Sequence, residues 1–451
     1  MANVLVIGAA RSGNAAAKLL RKQGNEVTLT DMKPVDSKEE LERLGITVFD
    51  GGHPQQLFEE DFDYVVKNPG IPYKAPLIAH FVKKGTPIYT EIETAFKSAP
   101  EFEYAAVTGT DGKTTTVTLL HEMLKKKNPK ARAAGNIGIP LSEIVLEEGN
   151  KKLDIALELS NFQLLGTEDF RPHVSTITNL APDHLDYMNS LDDYYRSKFL
   201  ILKNQEPEDY FILNIDDPLI RKYFSELDEV RPQIITFSVR DSSADLHYSP
   251  EDGMVYLKET PLFKREDLKL VGLFNLGNAM MAAAMAYLLG TDPEQISEVI
   301  RDFKGVEHRI EYILEKDGVR FYNDSKATNT HSAEAALSSF DSNVRLLCGG
   351  KNKGIDYTDL KRYDDRIVKC YSFGEIRDLF SEIFSRQSSY ETMEQALDAA
   401  MEDSRPGDVI LLCPATSSFD QFKNYEVRGE IFKQMVHDKT GIPADRKGNN
   451  K

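Results

Sequence analysis

The segment Val107-Thr108-Gly109-Thr110-Asp111-Gly112-Lys113-Thr114-Thr115 narrows the possible folds more than any other stretch of the 451-residue chain. The apolar run 104–107 leads into it as a strand, and Val117, Leu120 and Leu124 follow at helical spacing. A glycine-rich turn between strand and helix lets backbone amides face an anion, and the helix N-terminus adds a positive dipole. Lys113 offers a point charge to the β- and γ-phosphates, and Thr114 a hydroxyl to magnesium. Val107 stands where the general phosphate-loop pattern has its first glycine. A merely structural strand–turn–helix is the competing reading; the flanking context favours ATP binding.

Apolar runs and helix-like stretches alternate on both sides of this loop. Residues 3–7, 26–30, 64–67 and 87–89 read as strands and 14–23 as a helix. Further strands are expected at 104–107, 153–159, 174–178, 210–213 and 234–237. Residues 276–289, rich in Ala and Met and apolar nearly all round, read as a buried helix. After Gly305 the pattern restarts, with strands at 319–322, 344–347, 367–373 and 409–413 and helices at 332–339 and 393–401. At roughly 150 residues per domain the length points to three. The expected class is α/β: a Rossmann-like N-terminal domain (1–93), a central P-loop ATPase-type domain (94–305) and a Rossmann-like C-terminal domain (306–451).

The net charge of −17 repels phosphate backbones, so nucleic acid is not an expected partner. The longest apolar run, 279–289, is too short to span a bilayer, and no basic segment precedes the apolar residues 4–7, so neither a membrane nor a signal peptide is expected. Three cysteines without metal spacing fit a reducing cytoplasm rather than a disulfide framework.

In open parallel sheets, ligands bind beyond the carboxyl ends of the strands. Polar and glycine-rich clusters stand at nearly every such end: Gly8 to Gly13, Asp31 and Asn68-Pro69-Gly70, then the phosphate loop, Glu158 and Asn179 to Asp186, then Asp324 to Asn329, Gly349-Gly350-Lys351 and Pro414 to Ser418. Glu158 ends an apolar strand, and beside a phosphate loop a hard-cation ligand is favoured over a solvated carboxylate. His184, between Asp183 and Asp186, leans toward a metal or phosphate role over a structural one. Lys198 by itself reads as a solvated lysine on a helix face. The 8–13 turn has Ala10 where a dinucleotide loop has its middle glycine, which disfavours a nicotinamide site, and Asp31 is placed for a ribose hydroxyl. A plain packing turn competes with that reading. Lys326, Lys351 and Lys353 give positive charge at strand ends and suit an anionic small substrate, although capping and turn chemistry explains the same residue types. Arg309 is suited to stabilise charge on a transferring phosphate; as a surface arginine it needs no such role.

Taken in order, residues 108–115, Gly135-Asn136-Ile137-Gly138, Glu158-Leu159-Ser160-Asn161-Phe162-Gln163, the Asn179–Asp186 cluster, His308-Arg309 and the Asn323–Asn329 cluster resemble the Mur ligases, ATP-dependent amide-forming enzymes of peptidoglycan precursor synthesis. Gly349-Gly350-Lys351-Asn352-Lys353-Gly354 and Ser418-Phe419-Asp420-Gln421-Phe422-Lys423-Asn424-Tyr425 resemble the branch that adds D-glutamate. The Asp-Asn-Pro-Arg motif of the diaminopimelate- or lysine-adding branches is absent. The resemblance implies addition of D-glutamate to UDP-N-acetylmuramoyl-L-alanine through an acyl phosphate, with release of ADP and phosphate, by a cytoplasmic monomer. Another ligase of the same type, or an ATP-gated binding module, is the alternative.

By the same likeness the ATP contacts are Gly109, Thr110, Asp111, Gly112, Lys113, Thr114, Thr115, Asn275, Asn278, Arg309 and Asp324. Lys113, His184, Lys198, Arg309 and Asp324 form the catalytic set. Two Mg2+ sites are implied, one on Thr114 and Glu158 and one on His184 and a carbamylated Lys198. Ser12, Asp31, Gly70, Asn136 and His184 meet the UDP substrate, and Lys326, Thr328, Lys351, Ser418, Phe419 and Tyr425 surround D-glutamate. Asp111 departs from the family, where Asn is common.

Overall fold

The structure is a computed structural model that describes residues 1–182, 188 and 190–444. It is α/β throughout, with strands gathered into three sheets. By compactness the chain divides into two units, Met1–Arg265 with Gly277–Ile300, and Glu266–Leu276 with Arg301–Lys451. No helix among the described residues is long and apolar enough to cross a membrane.

The first unit holds two sheets. One is five-stranded and parallel, in the order Thr47–Phe49, Glu26–Thr30, Asn3–Ile7, Tyr64–Lys67, Ile88–Tyr89. Val4, Leu5, Val6 and Ile7 are buried on both faces, as a strand covered by helices on either side must be. The connecting helix Pro76–Lys84 starts on a proline and stops at Gly85 in the left-handed region, so both ends are set by local sequence. The chain reverses direction across the sheet at Asn3–Ile7, which makes the loops after this strand and after Tyr64–Lys67 the walls of a switch-point crevice.

The second sheet has nine strands. Its parallel part runs Leu246–Ser249, Gln233–Ser238, Tyr210–Asn214, Val174–Ile177, Glu103–Thr108, Asp154–Glu158, Arg132–Gly135. Met254–Leu257 and Thr260–Lys264 extend it as antiparallel strands, the second at the edge. Glu103–Thr108 lies at the reversal point, so the phosphate loop is flanked by the ends of Asp154–Glu158 and Val174–Ile177. The segment between the two sheets is fastened by two buried carboxylates on the helix Glu91–Ser98. Glu91 accepts from the Leu141 and Ser142 amides, and Glu93 from the amides of Glu168, Asp169 and Phe170.

In the second unit a six-stranded sheet has the order Glu311–Lys316, Val319–Asn323, Val409–Leu412, Val344–Gly349, Ile367–Phe373, Gln387–Tyr390. Only the first pair is antiparallel. The ends of Val319–Asn323, Val409–Leu412 and Val344–Gly349 are neighbours, so the three polar loops that follow them lie side by side. The helix Leu273–Leu288 carries residues of both units, and its 279–286 stretch is buried all round, as its composition requires.

Candidate functional site

The strand Glu103–Thr108 delivers the phosphate loop, and its neighbours hold the loop's shape. Gly109 has φ of +141°, and a Cβ there would lie 2.0 Å from Thr178 Oγ1, so only glycine fits. The Thr178 hydroxyl and the Asn179 amide group both donate to the Asp111 carbonyl, at 2.5 and 3.0 Å, and the Asp111 amide donates to Asn179 Oδ1 at 3.0 Å. Asp111 therefore serves the loop through its backbone, which accommodates the departure from Asn. Gly112, at φ +81°, caps the helix Lys113–Lys127, whose first turn carries Thr114 and the buried Thr115. The Lys113 ammonium donates to the carbonyls of Gly109 (2.8 Å) and Thr110 (2.7 Å).

Lys198 is buried, contrary to its reading as a solvated lysine. It sits on the helix Leu191–Phe199, is 1% exposed, donates to the Gly109 carbonyl at 2.9 Å and lies 4.4 Å from the Tyr194 ring centroid. The helix is short and amphipathic, and its inward face packs under the phosphate loop: the Tyr194 hydroxyl lies 3.3 Å from Thr110 Oγ1. Glu158, paired in register with Val107, is also 1% exposed. Its Oε1 accepts from Asn136 Nδ2 at 2.8 Å, whereas Oε2 is buried and has no hydrogen-bond partner among the described residues. A bare carboxylate oxygen beside a phosphate loop suits a hard cation, because a buried acceptor without a partner is costly. Lys113, Lys198, Glu158 and Asn136 are thus brought together. His184 lies outside the described residues.

At the first sheet's switch point, Ser12 and Gly70 meet through one side chain: Asn68 Nδ2 donates to Ser12 Oγ (3.2 Å) and Asn68 Oδ1 accepts from the Gly70 amide (3.2 Å). Asp31 accepts from the amides of Ala9 (2.6 Å) and Lys33 (2.8 Å), so its carboxylate ties adjacent strand-end turns together. Arg11 reaches the Gly138 carbonyl at 3.0 Å, two residues past Asn136.

In the second unit, Asp324 is buried at the end of its strand and accepts from the Ile310 amide at 3.2 Å. Lys326 lies 6.0 Å from the Tyr425 ring centroid, and the Ser325 hydroxyl donates to the Tyr425 carbonyl at 2.8 Å. Lys351 pairs with Glu375 at 2.8 Å, and its amide donates to the Ser417 carbonyl at 2.9 Å, next to the buried Ser418. The guanidinium of Arg428, fully buried, joins these two groups by donating to Ser325 Oγ, the Ser325 carbonyl and the Thr416 carbonyl. Thr328 accepts from Lys353 Nζ through its carbonyl at 3.1 Å. Phe419 and Arg309 stand exposed.

Residues 107–286 match the Mur ligase middle domain, and residues 308–416 match the Mur ligase glutamate ligase domain. UDP-N-acetylmuramoylalanine–D-glutamate ligases of Geobacillus kaustophilus and Listeria monocytogenes are 42% and 38% identical to the chain, each match covering 96% of it and 97% and 96% of the relative. The chain belongs to the Mur ligase family. Solved Mur ligases share its fold at lower identity. The UDP-N-acetylmuramate-alanine ligase of Thermotoga maritima superposes with a TM-score of 0.53 at 20% identity, covering 97% of this chain and all of that one. MurF of Acinetobacter baumannii gives 0.57 at 16%, covering 97% and 93%.

The two asparagines read as ATP contacts in this Mur ligase share one helix but fall in different compact units, Asn278 in the first and Asn275 in the second. Asn275 donates to the Val271 carbonyl at 2.9 Å. The sequence marks Asn68 and Asn323 only as members of polar strand-end clusters and gives Thr178 and Arg428 no site role of their own. Asn323 Nδ2 lies 3.0 Å from Nδ1 of His308, a buried residue at φ +63° directly before Arg309. Each is a bracing side chain whose role depends on a distant partner, so no local pattern marks that role.

Burial pushes the Asp324 carboxyl up to about 7, against the opposing pull of the Ile310 amide and the Arg309 guanidinium. A carboxyl whose pKa rises on folding stabilises the protein while protonated, and that contribution is lost as pH rises toward the folded value. Stability from this group therefore falls between about pH 4 and about pH 7. Asp324→Asn is expected to gain on wild type in urea unfolding midpoint as pH rises through that window. A constant difference between the two proteins would show that Asp324 does not titrate there.

Proposed function

We propose that this Mur ligase joins D-glutamate to UDP-N-acetylmuramoyl-L-alanine, with ATP converted to ADP and phosphate. The observation that carries this reading is the 42% identity to a UDP-N-acetylmuramoylalanine–D-glutamate ligase over 444 residues, which includes the phosphate loop and all three polar loops of the last sheet. The chemistry is acid activation: the alanyl carboxylate attacks the γ-phosphorus and ADP leaves, giving an acyl phosphate. The amine of D-glutamate then attacks the acyl carbon, loses a proton, and the tetrahedral adduct expels phosphate to leave the amide.

In this reading the segments 1–93, 94–305 and 306–451 carry the UDP substrate, ATP and D-glutamate in turn. Gly109, Thr110, Asp111, Gly112, Lys113, Thr114 and Thr115 cradle the phosphates, with Lys113 and Arg309 supplying positive charge as the γ-phosphoryl group transfers. Asn275, Asn278 and Asp324 complete the nucleotide contacts. Thr114 and Glu158 would hold one Mg2+, which fits the bare Oε2 of Glu158, and His184 with a carbamylated Lys198 a second. Bound there, magnesium neutralises phosphate charge. Ser12, Asp31, Gly70, Asn136 and His184 take the UDP substrate, and Lys326, Thr328, Lys351, Ser418, Phe419 and Tyr425 take D-glutamate. The enzyme is read as a cytoplasmic monomer.

Purified protein given ATP, Mg2+, UDP-N-acetylmuramoyl-L-alanine and D-glutamate should release ADP and phosphate in a reaction that needs both acceptor and acid. L-alanine, L-glutamate and L-lysine should not replace D-glutamate. Absence of ADP release with the full set, or equal release with another amino acid, would reject this assignment.

A further inference from the structure

Lys67 ends the strand Tyr64–Lys67, yet its side chain is 1% exposed and turns back over the loop that follows. Its ammonium donates to the carbonyls of Pro69 (3.3 Å) and Ile71 (3.0 Å), on either side of Gly70, and lies 4.8 Å from the Tyr73 ring centroid. The Tyr73 hydroxyl donates in turn to the Leu165 carbonyl at 3.1 Å, just past the helix Asn161–Leu164 that follows the Glu158 strand. One short turn is therefore clamped by a lysine from the first sheet and fastened by a tyrosine to the second. Inside it, the Asn68 side chain joins Ser12 to Gly70. Burial lowers the Lys67 pKa to about 8. Methionine would fill the same space without desolvating a charge, so packing alone does not account for an ammonium here.

We propose that Lys67 is a positioning residue for the UDP-linked substrate: by holding the Pro69 and Ile71 carbonyls it sets the shape of the turn at which Ser12 and Gly70 meet that substrate. The proposal rests on the reading that this turn contacts the UDP moiety. Among the described residues Lys67 touches this turn and Tyr73, so its loss is expected to act on affinity for one substrate and to leave the chemical step alone.

The test uses the full-length enzyme with Lys67→Met, Lys67→Arg and Gly70→Val, by steady-state kinetics and by calorimetric titration with UDP-N-acetylmuramoyl-L-alanine. Lys67→Met is expected to raise KM and Kd for that substrate about tenfold, the scale of one lost charge-assisted hydrogen bond, with kcat and the KM values for ATP and D-glutamate within about twofold. Lys67→Arg, which keeps the donors, should recover most of the loss, and Gly70→Val should weaken the same substrate. If Lys67→Met binds as wild type while Gly70→Val is weakened, Lys67 is not a positioning residue and the reading of the turn survives. If neither variant changes affinity, the reading of the turn fails. A Lys67→Met protein weakened equally for all three substrates, or slowed in kcat alone, would mean that the side chain supports the fold and overturns the proposal. Should Lys67→Met fail to fold, Lys67→Gln takes its place under the same outcomes.

Discussion

Lys198→Ala is expected to lower turnover about a thousandfold, the upper range for losing one preorganised electrostatic contact in an active site. Short carboxylic acids such as acetate or formate should restore part of the activity. The expectation starts from burial: Lys198 is 1% exposed, and its amine lies 2.9 Å from the carbonyl of Gly109, inside the phosphate loop. An ammonium in that position repels any cation brought in with ATP, and its desolvation is costly. The neutral amine can attack carbon dioxide, forming an N–C bond and losing a proton, and the resulting carbamate is an anion of the sign a metal requires. Alanine removes both the amine and the carbamate and leaves room for a small carboxylate in their place. Rescue must therefore depend on acid size and charge: acetate should work where acetamide and ammonium do not. Full activity in Lys198→Ala would make the residue a packing element. A loss that no acid relieves would make the amine itself, rather than its carbamate, the functional group.

Lys198 also shows where sequence reading stops. Asp192, Asp193 and Arg196 give its helix a charged outer face, and a lysine among them looks like part of it. The usable signal is Tyr194, four residues earlier and therefore on the same helix face, and itself buried. Strands buried on both faces were legible, because 3–7, 153–159 and 409–413 are nearly continuous apolar runs, and the polar residues that end them were legible as site candidates for the same reason. Strands that owe their existence to pairing rather than to composition were not. Arg132–Gly135 has no β-branched residue and exists through its pairing with Asp154–Glu158. Leu246–Ser249 and Met254–Leu257 are four residues long and half-buried, too short for a period of two to stand out. Glu311–Lys316 was missed in spite of an available signal: Asp317-Gly318, at φ +52° and +77°, forms the two-residue turn that pairs it with Val319–Asn323.

Glu158→Gln separates a metal ligand from a structural carboxylate. Glutamine has the same shape and keeps Oε1 as the acceptor for Asn136 Nδ2, so the 2.8 Å hydrogen bond can persist. The change falls on the other atom: Oε2, buried and without a hydrogen-bond partner among the described residues, becomes an amide nitrogen that cannot face a cation. If that oxygen is a ligand, the Mg2+ concentration for half-maximal activity should rise at least about a hundredfold, the upper range for losing even an outer-shell partner of a metal ligand. Mn2+ binding followed by electron paramagnetic resonance, with a non-hydrolysable ATP analogue present, should weaken in parallel. The melting temperature of the nucleotide-free protein should hold, because the Asn136 hydrogen bond is kept. A structural carboxylate gives the opposite pattern: melting falls with the lost charge while Mn2+ binding is unchanged, and that result would return the first metal site to Thr114 alone.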